Sequence, residues 1–274
     1  MMQPAGKVFV VTGAANGIGE QVVRELLARQ ARVAAVDLDE AALQRLSESA
    51  AVGGRLSTHR LDVTDAGAVA ALPAAVIAAH GQVDGLFNIA GIAQDFETAA
   101  GIDEARMRTV MEVNFFGTVA MVRSFLPELE RRPGGAVVMN TASLAAMVPV
   151  PGAAIYGASK AAVAQFGYGL RQDLRHAGSA VSVTTAVPGT VWTELVRASA
   201  NTLGTPEVVA RTFAMPAGRA ARRMIETTLR GRTRVVIGKD AHFYDGLGRL
   251  SKRAAERISY LQVARFVYRS QKKR

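Results

Sequence analysis

Across 274 residues the chain carries no cysteine, 26 glycines and 49% hydrophobic residues. That is enough apolar material for one large α/β core, and it excludes disulfides, thiolate metal sites and thiol catalysis together. With 20% charged residues the chain is not wholly disordered; its net charge of +10 is concentrated in residues 219–274, which hold 16 Lys and Arg against 4 Asp and Glu.

Apolar runs suited to buried strands alternate with stretches of helical period. Strands are predicted at residues 7–12, 32–37, 55–62, 84–88, 135–141, 180–187 and 234–237. Helices are predicted at 17–29, 40–49, 66–80, 103–130, 155–177 and 206–230. Strands hydrophobic on both faces, each followed by a helix, imply an α/β fold: a Rossmann-type doubly wound parallel sheet of about seven strands with helices on both sides. Residues 1–240 are expected to form a single domain, and 241–274 a basic helical extension. Residues 133–159 are uncharged, but Asn140, Thr141, Ser143, Pro149, Pro151 and Gly152 suit a buried strand and a pocket-lining loop better than lipid. Residues 1–13 show no targeting segment, so the expected location is cytoplasmic.

In a doubly wound sheet, ligands sit beyond the carboxyl ends of the strands. The first predicted strand runs into Thr12-Gly13-Ala14-Ala15-Asn16-Gly17-Ile18-Gly19 and then a helix. Glycines in such a turn let the backbone approach a pyrophosphate, whose charge the helix N-terminus stabilises. The second strand ends at Asp37, followed by Leu38. A carboxylate there can accept hydrogen bonds from both ribose hydroxyls and repels a 2′-phosphate, which favours NAD over NADP; Asp37 could equally cap the next helix. The third strand ends in Asp62-Val63 and the fourth in Asn88-Ile89-Ala90-Gly91, where short side chains allow close approach.

Tyr156 and Lys160 are four residues apart on one predicted helix, so they share a face. Either they are an ordinary surface pair, or the ammonium lowers the phenol pKa towards the working pH for proton exchange with an alcohol or carbonyl oxygen. The four histidines (59, 80, 176 and 242) show no metal-ligand spacing, and no metal is expected.

Taken jointly, these motifs resemble the short-chain dehydrogenases/reductases over about residues 5–195. The glycine turn is similar to Thr12–Gly19, the Asn-x-Ala-Gly element to Asn88–Gly91, and the Tyr-x-x-x-Lys pair to Tyr156 and Lys160. Ser143, thirteen residues before the tyrosine, resembles the catalytic serine, Asn114 the helix asparagine, and Pro188-Gly189, with Val191 and Thr193 following, the step after the sixth strand. The resemblance implies Tyr156 as general acid/base and Lys160 on the nicotinamide ribose. It also implies Ser143 on the substrate oxygen and Asn114 supporting a water relay. Gly13, Asn16, Gly17, Ile18, Gly19, Asp37, Leu38, Asp62, Val63, Asn88, Ala90, Gly91, Pro188, Gly189, Val191 and Thr193 are expected to contact NAD.

Ile92, Phe96, Leu144, Met147, Val148, Val150, Val191, Trp192, Leu195, Val196, Leu203, Val208, Val209, Phe213 and Met215 would make an apolar pocket for a hydrophobic secondary alcohol or ketone; they could instead pack a lid onto the core. The alternative functions are a catalytically vestigial NAD-binding scaffold or sensor, or an enzyme whose basic C-terminus also binds a membrane surface or nucleic acid. The resemblance also implies a homo-oligomer, a dimer or tetramer. Residues 253–268 mix apolar and basic side chains in helical spacing, which suits self-docking, another subunit or a membrane surface; no specific nucleic acid is expected.

Overall fold

A computed structural model describes residues 1–50, 53–202 and 207–271. Its main sheet has seven parallel strands: β1 (Val8–Thr12), β2 (Arg32–Asp37), β3 (Leu56–Arg60), β4 (Gly85–Asn88), β5 (Ala136–Thr141), β6 (Val181–Pro188) and β9 (Arg234–Ile237). The spatial order is β3-β2-β1-β4-β5-β6-β9. The order reverses between β1 and β4, which opens a crevice at the carboxyl ends of those strands.

The strands read as apolar on both faces because two separate cores meet the sheet. Successive side chains alternate: Phe9 and Val11 of β1 face α1 (Gly17–Ala28), α2 (Glu40–Ala50) and α9 (Ala217–Leu229), whose Val22, Leu26, Leu43, Met224 and Ile225 share that cluster. Val8 and Val10 face the opposite layer of α3 (Ala66–His80), α5 (Gly117–Glu130) and α6 (Ala154–His176), through Val76, Phe125 and Leu170. At the far end from the crevice, fully buried Asp84 accepts a 2.9 Å hydrogen bond from the Val8 amide and pairs with Lys7 and Arg132.

Two long predicted helices are interrupted. The stretch 103–130 becomes α4 (Glu104–Met111), a wide π turn over Glu112–Phe116, and α5. Its apolar spacing continues through the π turn, so the sequence pattern hides it. The stretch 206–230 becomes α8 (Glu207–Phe213), the short strand β8 (Met215–Pro216) and α9, because Pro216 lacks an amide proton and disfavours helix before it. β8 pairs with the short strand β7 (Val191–Trp192), and α7 (Glu194–Thr202) follows β7. Leu203 and Pro206, and the side chains of Val209, Phe213 and Phe266, lie outside the described residues.

The basic end forms α10 (Lys239–Leu250) and α11 (Lys252–Gln271). They pack back on the body: Tyr244 and Ala255 cluster with Val148 of the loop after β5, with Leu144, Leu247 and Ile258 around them. Asp240 accepts a 2.7 Å bond from the Thr190 amide, which ties α10 to the turn after β6. Among the described residues no helix is long and apolar enough to cross a membrane.

Candidate active site

The crevice holds a cavity of about 550 Å³ between the glycine turn, the ends of β2 and β4, and α7. Gly13, Asn16, Gly17, Ile18, Gly19, Asp37, Leu38, Asp62, Val63, Ala90, Gly91 and Thr193 all line it. Asn16 stands at the N-cap of α1 in extended conformation without a side-chain cap bond, so the first-turn amides of α1 open onto the cavity as an anion seat. Gly13 has φ +64°, and a Cβ there would lie 2.8 Å from the Ala90 amide nitrogen. At Gly19 a Cβ would overlap the Gly13 carbonyl oxygen at 1.8 Å. Backbone this close leaves the turn open to a bulky phosphate only because both residues are glycine.

Asp37 closes the far end. Its Oδ2 accepts a 2.9 Å bond from the Ala15 amide and its Oδ1 a 3.1 Å bond from Asp39. The carboxylate is thereby held against the glycine turn and still faces the cavity. Among the cavity-lining residues there is no lysine or arginine to neutralise a second phosphate there. The Asp37 oxygens are acceptors of the kind that hydroxyl groups can meet.

A second, smaller pocket of about 100 Å³ adjoins it, sharing Ile18, Ile89, Gly91, Thr193 and Leu195. Ser143, Tyr156, Lys160, Pro188, Gly189, Val191 and Val196 line it too, with Thr141 and Ala142 at the end of β5. Ser143 follows β5; Tyr156 and Lys160 lie on the first two turns of α6, so strand end and helix start converge. The Lys160 Nζ donates to the Thr141 carbonyl at 3.2 Å and sits 5.9 Å from the Tyr156 ring centre.

The electrostatics reverse one expectation. Burial pushes the Tyr156 phenol above its ordinary 10, and the Ser143 hydroxyl, within hydrogen-bonding reach, offsets only part of that. Burial also lowers Lys160 to about 8. Desolvation disfavours the charged form of each group, and the Lys160 ammonium does not lower the phenol in the way their i,i+4 spacing suggests.

Asn114, in the π turn, is fully buried. Its Oδ1 accepts from the Ile92 amide at 2.8 Å; its Nδ2 donates to the Ile92 carbonyl at 3.0 Å and to Ser159 Oγ at 2.9 Å. A Cβ on Gly91 would lie 2.9 Å from both Asn114 Oδ1 and Lys160 Nζ, so Gly91 is where these two groups meet.

The structure sets one expected cofactor residue apart from the others. Asn88 does not line either cavity; 3% exposed, it donates from Nδ2 to Asn140 Oδ1 at 2.9 Å and bridges β4 to β5. Strand alternation turns it into the layer of helices instead of towards the crevice. The apolar wall is also smaller than expected. Val191, Leu195 and Val196 line the inner pocket, but Leu144 and Val148 pack beneath α10 and α11, and Val208 is 77% exposed. Two residues absent from the sequence reading belong to the site. Ser159 links Asn114 to the Tyr156 carbonyl, and Gln94 binds the start of α6. Ser159 was legible as the neighbour of Lys160; nothing in local spacing marks Gln94.

The sequence profile of the short chain dehydrogenase family matches residues 7–204. The chain belongs to this family. It is similar to the putative oxidoreductase SadH of Mycobacterium tuberculosis, 32% identical over 95% of this chain and 96% of the relative. It is also similar to the NADP-dependent 3-hydroxy acid dehydrogenase YdfG of Escherichia coli, 35% identical over 67% of this chain and 72% of that protein. A short chain dehydrogenase/reductase from Burkholderia phymatum, solved in complex with NAD, superposes with a TM-score of 0.79, is 27% identical, and covers 91% of this chain and 94% of its own. The protein is accordingly a short chain dehydrogenase, an oxidoreductase acting on CH–OH donors, in a family that binds nicotinamide cofactors.

Proposed function

We propose that this short chain dehydrogenase is NAD-dependent and interconverts a hydrophobic secondary alcohol and its ketone, with Tyr156 as general acid/base. The observation that carries this reading is one continuous crevice with Asp37 at one end and Ser143, Tyr156 and Lys160 at the other. The glycine turn, α1 N-terminus, Asp37, Asp62, Val63 and Ala90 would hold the cofactor, whose nicotinamide ring, when bound, supplies the hydride acceptor or donor. Ser143 Oγ orients the substrate oxygen. Tyr156 Oη takes the hydroxyl proton in oxidation and returns it in reduction. Lys160 holds the nicotinamide ribose, and Asn114, through Ile92 and Ser159, keeps the floor of the site in place.

A panel of secondary alcohols assayed by nicotinamide absorbance, with NAD and NADP in parallel, tests this reading. Turnover of apolar, uncharged alcohols with NAD supports it; preference for small charged substrates rejects the apolar pocket, and preference for NADP rejects the role of Asp37. The double substitution Asp37→Ser with Leu38→Arg is expected to move the NADP:NAD ratio of kcat/KM about a hundredfold towards NADP. It removes a repelling charge and adds a phosphate-binding fork, together on the order of 3 kcal/mol.

The protein is likewise proposed to be a homo-oligomer, a reading supported by half-exposed Phe116 on the helical stretch of α4 and α5. A second contact is proposed for the C-terminal helices. Phe243, Leu250, Tyr260, Leu261 and Tyr268 are five of the ten large apolar side chains exposed among the described residues, and Arg253 and Arg257 line a groove with Tyr260 and Tyr268. The aromatic and basic side chains of that groove, which Glu97 and Glu256 also line, suit an anionic lipid headgroup layer. Flotation should show binding to phosphatidylserine vesicles that is lost in high salt and in Arg253→Glu with Arg257→Glu. Equal recovery with phosphatidylcholine vesicles would reject it.

A further inference from the structure

We infer that Gln94 is a positioning residue that holds Tyr156 in place by capping the catalytic helix from outside it. The inference deepens the reading of Tyr156 as acid/base and rests on it.

α6 begins without a cap of its own. The residue at its N-cap is Ala153, which offers no side-chain acceptor, and the first amides of any helix lack intrahelical partners. Here Gln94 Oε1 accepts from both the Ile155 amide at 2.8 Å and the Tyr156 amide at 2.9 Å. Gln94 is 3% exposed, so water does not substitute readily for that oxygen. One side chain from a distant loop thus satisfies two part-buried donors, one of them on the residue whose phenol faces the inner pocket.

The loop that presents Gln94 is fixed along its length. Asn114 grips Ile92 through two hydrogen bonds, Arg106 Nη2 donates to the Ala93 carbonyl at 2.7 Å, and the Glu97 amide donates to the Gly152 carbonyl at 3.1 Å. Gly152 has φ +74°, and a Cβ there would run into Val267 of α11 at 2.7 Å and the Phe96 backbone. The loop is therefore clamped between Asn114 at the floor of the site and α11 outside it. Tyr156 is the third residue of α6, within the first turn where the helix N-terminus favours a negative charge. Its Oη position follows the backbone that Gln94 holds, and a displacement near 1 Å at a reacting group is worth about a hundredfold in rate.

The test compares Gln94→Met, which keeps size and removes the acceptor, with Gln94→Glu, which keeps the acceptor and adds a charge. Both are made in the full chain, with Tyr156→Phe as control. Three quantities are read: NAD binding by fluorescence, oxidation of 1-phenylethanol with NAD, and titration of Tyr156 from the ultraviolet phenolate signal absent in Tyr156→Phe. Gln94→Met is expected to lower kcat roughly ten- to hundredfold with NAD affinity unchanged. Gln94→Glu is expected to keep kcat within about threefold at its own optimum while its carboxylate shifts the Tyr156 titration upward. Wild-type kcat in Gln94→Met, or an unmoved titration in Gln94→Glu, overturns the inference. If Tyr156→Phe keeps full turnover, the acid/base reading falls instead, and the titration still judges the placement of Gln94.

Discussion

Lys160→Met is expected to abolish turnover, by at least about a thousandfold, and at the same time to stabilise the cofactor-free protein. Lys160 is 4% exposed, and burial lowers its pKa from 10.5 to about 8. A depressed lysine pKa means that the fold disfavours the ammonium. The cost is present in full below pH 8, shrinks as pH rises from about 8 to 10.5, and vanishes above the unfolded value. At neutral pH it amounts to about 3 kcal/mol, and methionine fills nearly the same volume with no charge. The thermal midpoint of the cofactor-free variant should rise by about 5–10 °C at neutral pH, and the gap to wild type should narrow towards pH 10. A midpoint equal to or below wild type at neutral pH would show that the ammonium is not held against its solvation preference. The fold would then not be bearing the strain that we assign to function.

Gly19→Ala is expected to have the second large effect, and to act on the cofactor end. Its methyl would sit 1.8 Å from the Gly13 carbonyl oxygen and 2.6 Å from the carbonyl carbon. Both are backbone atoms that cannot rotate aside, so the glycine turn must separate from the first turn of α1. Overpacking of this kind costs about 3 kcal/mol, and the anion seat opens with it; NAD affinity should fall at least about a hundredfold. Gly17→Ala offers a graded comparison. Its methyl would meet only the Thr193 side chain, at 3.1 Å, although φ +57° adds strain, so a loss of about 1–2 kcal/mol is expected. Fluorescence titration with NADH alongside urea unfolding separates binding from stability. Wild-type NADH affinity in Gly19→Ala would remove the glycine turn from the cofactor site.

How far the site was legible depended on the range of the interaction concerned. The seven strands, the parallel sheet and the crevice position follow from alternation and from helices between strands, all local patterns. The glycine turn was legible because Gly13, Gly17 and Gly19 lie within one bend, and Tyr156 with Lys160 because four residues make about one helical turn. By contrast, Asn88 lies in the motif expected at the crevice, yet it faces Asn140, since a side chain's direction depends on which face its strand presents. The π turn at Asn114 lies inside an unbroken helical pattern, and β7 and β8 are too short to leave one.

Sequence alone thus determined the architecture, the family and the chemical types gathered at the strand ends, because each is encoded in residues near one another in the chain. Only the tertiary structure decided that Gln94 accepts from the first amides of α6, that Asp240 of α10 binds the turn after β6, and that burial drives Tyr156 and Lys160 both towards their neutral forms. Those outcomes depend on burial and on partners dozens of residues away, and neither is set until the layers close around the crevice.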